Sequence, residues 1–193
     1  MKKNKRHHRI PIFLPIITII GIGIITILSS FYEKTWSYNW NEISVQIRDS
    51  VKIAAHGGIS SGVVGVAAVK PKQFDRRHWI MQNATESELL KLTNYPNATI
   101  KTIAYEGLLR KINYTNKTDI VLKSITDTEY PMVYQTGCHG TRMSIAEYLV
   151  EFVLYIDDKS PPAPDGIRNR FGFSEADINV IMIEYRKNPS SWK

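Results

Sequence analysis

The sequence predicts an all-α protein with a single N-terminal transmembrane helix followed by an α-helical domain. Three observations predict this fold class. Residues 10–28 carry no charge, several later segments place apolar residues at helical spacing, and Pro96-Asn97 separates two of these segments as the turn of an αα-hairpin would. A chain of 193 residues with 43% hydrophobic content is sufficient for one domain of ordinary size plus an appendage.

The N-terminal segment predicts the topology. At about 1.5 Å per residue, the charge-free run is long enough for the ~30 Å hydrocarbon layer, which predicts a transmembrane helix over residues 10–32. The positive-inside rule places the basic tail, residues 1–9, in the cytoplasm. Residues 33–40 then form an aromatic juxtamembrane linker, and residues 41–193 form an extracytoplasmic α-helical domain. A cleaved signal peptide ending near Ser29-Ser30 is the alternative.

Charge and cysteine content indicate which partners and which cellular compartment to expect. The net charge is +7, and five of these charges belong to the tail (Lys2, Lys3, Lys5, Arg6 and Arg9), so the remainder carries 7 − 5 = +2. The basic residues of the tail therefore indicate the orientation in the membrane and not a nucleic-acid partner. Cys138 is the single cysteine and has no internal partner for a disulfide. We therefore predict a bacterial cell (inner) membrane location, with the membrane and a protein as partners.

The first half of the domain reads as short helices. Apolar spacing predicts a helix over residues 41–55, which ends at Gly57-Gly58. Residues 60–69 are apolar and rich in small residues, so they fit a tightly packed helix or a buried strand, and the helical surroundings favour the helix. Residues 73–83 predict a short helix that places Phe74, Trp79 and Ile80 inward and leaves residues 75–78 in solvent.

The strongest local signals surround the αα-hairpin. Thr85 and Glu88 have the spacing of a capping box, Pro96 ends the first helix, and Asn97 is suited to cap the second. In the second helix one buried stripe is predicted, made of Ile100, Ile103, Ala104, Gly107 and Leu108.

Three further segments complete the domain. A helix begins at Thr118 and stops at Asp127, and the next residues, to Thr141, are expected to be irregular. A helix is predicted over residues 142–155, and the last helix should be capped by Ser174.

Residues 84–111 resemble a HEAT-like helical repeat. The matching positions are Leu89, Leu92, Asn94, Pro96, Asn97, Ile100, Ala104 and Leu108. The chain also resembles small membrane-anchored proteins of the Bacteroidetes type that carry such a unit, many of them without an assigned function. The resemblance implies a HEAT-like (αα-hairpin) helical domain whose flanking helices cap the repeat.

Candidate chemistry is confined to Cys138 and His139. A thiol becomes a nucleophile when a histidine or a helix N-terminus lowers its pKa, and both features are expected near Cys138. A cysteine in a glycine-flanked turn is more often a small packed residue, so we predict no catalytic residue. Metal-binding and haem-attachment spacings are absent, and we predict no cofactor. Residues 75–78 form a charged run that could bind an anionic patch, but a charged run on a short helix is usually its solvent-exposed face.

These observations predict a membrane-tethered, non-enzymatic interaction module that acts as a protein–protein scaffold in the bacterial envelope. The alternatives are a thiol-dependent envelope enzyme that uses Cys138 and His139, and a toxin-immunity protein.

Overall fold

The computed structural model describes residues 13–31, 37–128, 131–157 and 170–188. The chain divides into two compact units, Met1–Tyr38 and Asn39–Lys193. The basic tail and the first half of the predicted aromatic linker, residues 33–36, lie outside the described residues.

The first unit contains helix α1, Phe13–Phe31. Within the described residues, no helix combines the length and the apolar character needed to cross a bilayer, so the predicted single-pass transmembrane helix over residues 10–32 is wrong. Helix α1 has 19 residues and ends in Ser29-Ser30-Phe31.

The second unit is not all-α, because it contains a three-stranded sheet of order β1-β2-β3. Strand β1 is Ile59–Val64, β2 is Met132–Gly137 and β3 is His139–Met143. Strands β1 and β2 are parallel, with Ile59 opposite Tyr134, whereas β2 and β3 form an antiparallel hairpin. The predicted all-α class is therefore wrong, and the unit is mixed α/β.

Strand β1 occupies the apolar segment that we expected to be a helix. Its backbone hydrogen bonds are satisfied by β2, a strand more than sixty residues later in the chain. Gly58, just before β1, permits this close approach, since a Cβ atom there would clash with the backbone carbonyl of Val133. The segment thus forms a strand because of a distant partner that its own sequence does not specify.

The remaining helices surround α5, Ala98–Arg110, which is buried along almost its whole length. The other helices are α2 (Val45–Ala54), α3 (Lys72–Asn83), α4 (Glu86–Leu92), α6 (Lys117–Thr126), α7 (Ile145–Glu147) and α8 (Glu175–Lys187). Helix α5 contacts α2, α3, α4, α6 and strand β2. Gly107 lets α4 approach it, because an added Cβ would lie 3.0 Å from a methyl of Leu89.

The predicted helix caps of the hairpin are present. The Thr85 hydroxyl accepts a hydrogen bond from the Glu88 amide, and the Glu88 carboxylate accepts one from the Thr85 amide at 2.8 Å. The Ser44 amide also donates to Glu88, at 2.8 Å. Burial raises the pKa of Glu88, but the hydrogen bonds from Thr85 and Ser44 together outweigh it, so this pKa lies below the ordinary 4.5.

The helix predicted over residues 142–155 starts later and has a different form. Met143 is still in β3, and Ser144 caps α7 through a capping box with Glu147. From Tyr148 to Leu154 the chain continues as a π-helix, which ends at Tyr155 in a left-handed conformation with φ 53°. Such wide turns are frequent at functional sites.

Candidate functional site

The structure places Cys138 and His139 at the tip of the β2–β3 hairpin. Thr136 pairs with His139, so Gly137 and Cys138 form the two-residue turn, and both Cys138 and His139 are exposed. The next helix begins only at Ile145, after the whole of β3. The helix N-terminus that we expected beside the thiol is therefore not adjacent to it in the chain.

The residues of the predicted hairpin motif are mainly structural. Five of them are at most 1% exposed: Leu89, Leu92, Ile100, Ala104 and Leu108. Pro96 and Asn97 lie in the turn, where the Asn97 side chain accepts a hydrogen bond from the Ile100 amide. Both line a cavity of about 370 Å³ together with His56 and Gly57.

The most distinctive site is a larger cavity, which we call the basic cavity. It has a volume of about 1000 Å³ and is bounded by the ends of α3, α5 and α6 and by residues 170–172. Its lining contains four cationic side chains, and no carboxylate is among the described residues that line it. The lining residues are His78, Met81, Gln82, Leu109, Arg110, Lys111, Ile112, Lys117, Arg170, Phe171 and Gly172.

Two lysines of the basic cavity are held by the backbone. The Lys111 Nζ donates to the carbonyl of Gln82 at 3.2 Å, and the Lys117 Nζ donates to the carbonyl of Phe171 at 3.2 Å. An ammonium group has three N–H donors, so each of these contacts accounts for one of them. These contacts position the two lysines, and no carboxylate is among the described residues that line the cavity with them.

Arg110 connects the basic cavity to a buried ion network. Its Nε donates to Glu106 Oε1 at 2.8 Å, and its Nη2 lies 2.6 Å from the same oxygen. On the other side of the carboxylate, the Tyr148 hydroxyl donates to Oε2 at 3.1 Å and accepts from Arg77 Nη1 at 2.7 Å. The Glu106 side chain is 1% exposed. The network therefore fixes the guanidinium of Arg110 at the cavity.

The network of Arg77, Glu106, Arg110 and Tyr148 carries a net positive formal charge. Glu106 faces two guanidinium groups, those of Arg77 and Arg110, so the three side chains sum to +1. Burial raises the pKa of Tyr148 well above its ordinary value of 10, and the negative Glu106 raises it further, which keeps the hydroxyl protonated as a donor. Of the two guanidinium groups, that of Arg110 is the more exposed, at 31%, whereas the Arg77 side chain is 7% exposed.

A second polar cavity, of about 380 Å³, lies beside α6. There the Lys101 Nζ donates to both carboxylate oxygens of Asp127, at 2.8 and 2.9 Å. Lys123 also lines this cavity, so its described lining holds two lysines and one carboxylate, compared with four cationic side chains and no carboxylate in the basic cavity.

Sequence reasoning did not identify the basic cavity. It placed Arg77 in solvent within a charged run, whereas Arg77 is buried and its neighbour His78 lines the cavity. Trp79, which we expected to point inward, is 37% exposed. The other cations come from α5, α6 and residue 170, and no local pattern links segments so far apart.

The described lining offers cationic donors and apolar side chains, and it also contains His78. The chain matches no protein-family model, no curated protein and no solved structure. The resemblance to HEAT-like repeats therefore stays a prediction.

Proposed function

We propose that this chain is a non-enzymatic interaction module that holds a protein partner at the basic cavity. The observation that supports the proposal is the set of four cationic side chains around a cavity whose described lining has no carboxylate. Such a concave, charged surface favours an anionic ligand by charge complementarity and accelerates encounter with it.

The composition of the rim favours a protein as the ligand. Ile112 is 92% exposed and is adjacent to Lys111, so apolar and cationic surface occur together at the opening. Arginine is enriched in protein interfaces, and the partly exposed Arg110 lines this cavity. The sequence outside the tail carries only +2, which is a weak charge for a surface that follows a nucleic-acid backbone.

The other functional interpretations have less support. No geometric feature around Cys138 favours a thiol-dependent enzyme over a binding module. The envelope location and the toxin-immunity interpretation remain predictions from the sequence.

Site-specific photo-crosslinking in the native host tests the proposal. A photoreactive benzoylphenylalanine at position 112 should give a discrete crosslinked protein, and the same probe at Val66, which is 96% exposed in the turn after β1, should not. The adduct should be lost when Lys117 is replaced by glutamate and retained when the exposed Lys72 is replaced in the same way. Equal adducts from positions 112 and 66, or an adduct insensitive to Lys117→Glu, would contradict a partner bound at this cavity.

A further inference from the structure

We infer that the basic cavity recognises an acidic, extended segment of the partner protein that carries one large apolar side chain. This inference rests on the proposed function and specifies the chemistry of the bound segment. It follows from which segments carry the cations, from which of their donors are already used, and from the exposed apolar residue of the lining.

The cations come from three separate segments of the chain. Arg110 is the last residue of α5 and Lys111 follows it, Lys117 begins α6, and Arg170 precedes Phe171. The Lys111 and Lys117 ammonium groups are held by the carbonyls of Gln82 and Phe171. Successive carboxylates of an acidic segment offer a separate anionic group to each of these cations.

The free donors suit carboxylates. Lys111 and Lys117 each use one N–H on a backbone carbonyl. Arg110 uses Nε and Nη2 on Glu106, and its remaining nitrogen, Nη1, has no contact among the described residues. Charge-assisted hydrogen bonds to carboxylates are stronger than neutral ones, and Arg110 is already oriented for them by a buried partner.

The apolar part of the lining calls for an apolar group. Ile112 lines the cavity next to Lys111 and is 92% exposed, whereas Leu109, Met81 and Phe171 are buried. A purely ionic ligand would leave the Ile112 side chain in contact with water. A large apolar side chain flanked by acidic residues covers Ile112 while its neighbours reach the cations.

Fluorescence anisotropy with the full chain tests this inference. The probe is a fluorescein-labelled peptide in which acidic residues flank one tryptophan, and we expect saturable binding that weakens with added salt. Lys111→Glu or Lys117→Glu should weaken it about tenfold, because each replaces an attraction by a repulsion, while the matched Lys72→Glu should leave it unchanged. A peptide with glycine in place of the tryptophan should also bind about tenfold more weakly.

Several results would overturn the inference. One is equal binding of the glycine and tryptophan peptides, and another is a loss of affinity in Lys72→Glu as large as that in the cavity variants. Displacement of the peptide by inorganic phosphate at matched ionic strength, or tighter binding of a single-stranded RNA than of the peptide, would do the same. Failure of the proposed function is distinguishable from these. If the crosslink from position 112 forms and is lost in Lys117→Glu, but the acidic peptide neither binds nor competes, the proposed partner is supported. The acidic segment of that partner is then refuted.

Discussion

Replacing Glu106 by glutamine should strongly destabilise the second unit. The substitution keeps the shape of the side chain but removes the negative charge that faces Arg77 and Arg110, and the new amide presents N–H donors toward groups that are themselves donors. Removing one partner of a buried ion pair costs about 3–5 kcal/mol, because the remaining charge is left uncompensated. For a unit of this size that corresponds to a decrease in Tm of about 10 °C.

Thermal unfolding followed by circular dichroism measures this effect, and the chain offers a matched control. Glu184 pairs with Lys187 at 3.2 Å on the surface, where the two side chains are 34% and 65% exposed, so Glu184→Gln should cost less than about 1 kcal/mol. Tyr148→Phe should have an intermediate effect that is not additive with Glu106→Gln, since both act on one network. If Glu106→Gln melts like Glu184→Gln, the buried network does not stabilise the fold as we reason.

Three further predictions concern residues outside the basic cavity. The pKa of Glu88 is lower in the folded state than in the unfolded state. The Glu88 carboxylate therefore stabilises the fold above pH 4.5, and this contribution is lost as the pH falls through the folded-state pKa. The difference in urea stability between the parent and Glu88→Gln should thus shrink from pH 7 to pH 3, and a constant difference would contradict the sign. Ala104→Asp should cost several kcal/mol in urea unfolding through a buried unpaired charge, since Ala104 is 0% exposed; a parent-like transition would show that the stripe is misassigned. Cys138→Ser should change the free energy of unfolding by less than about 0.5 kcal/mol and leave the crosslink from position 112 intact. A larger loss of stability, or loss of the crosslink, would support a role for the thiol.

The sequence determined the features whose hydrogen bonds close within one segment. The capping box of Thr85 and Glu88 and the caps at Asn97 and Ser174 are present, and the predicted stripe residues of α5 are buried, although α5 is buried on its other faces as well. Each depends on residues three or four positions apart, which meet on one helix face whatever the rest of the chain does. This is why the helical hairpin could be predicted from residues 84–111.

Tertiary structure decided the sheet, the extent of the later helices and the basic cavity. The segment at β1 is compatible with helix and strand, and pairing with β2 selects the strand. Arg77 lies in a charged run, yet it is buried because Tyr148 and Glu106 reach it from other elements. The cavity combines cations from α5, α6 and residue 170, which only folding brings together. Contacts between distant segments depend on the geometry of the whole unit, and local sequence patterns contain no information about that geometry.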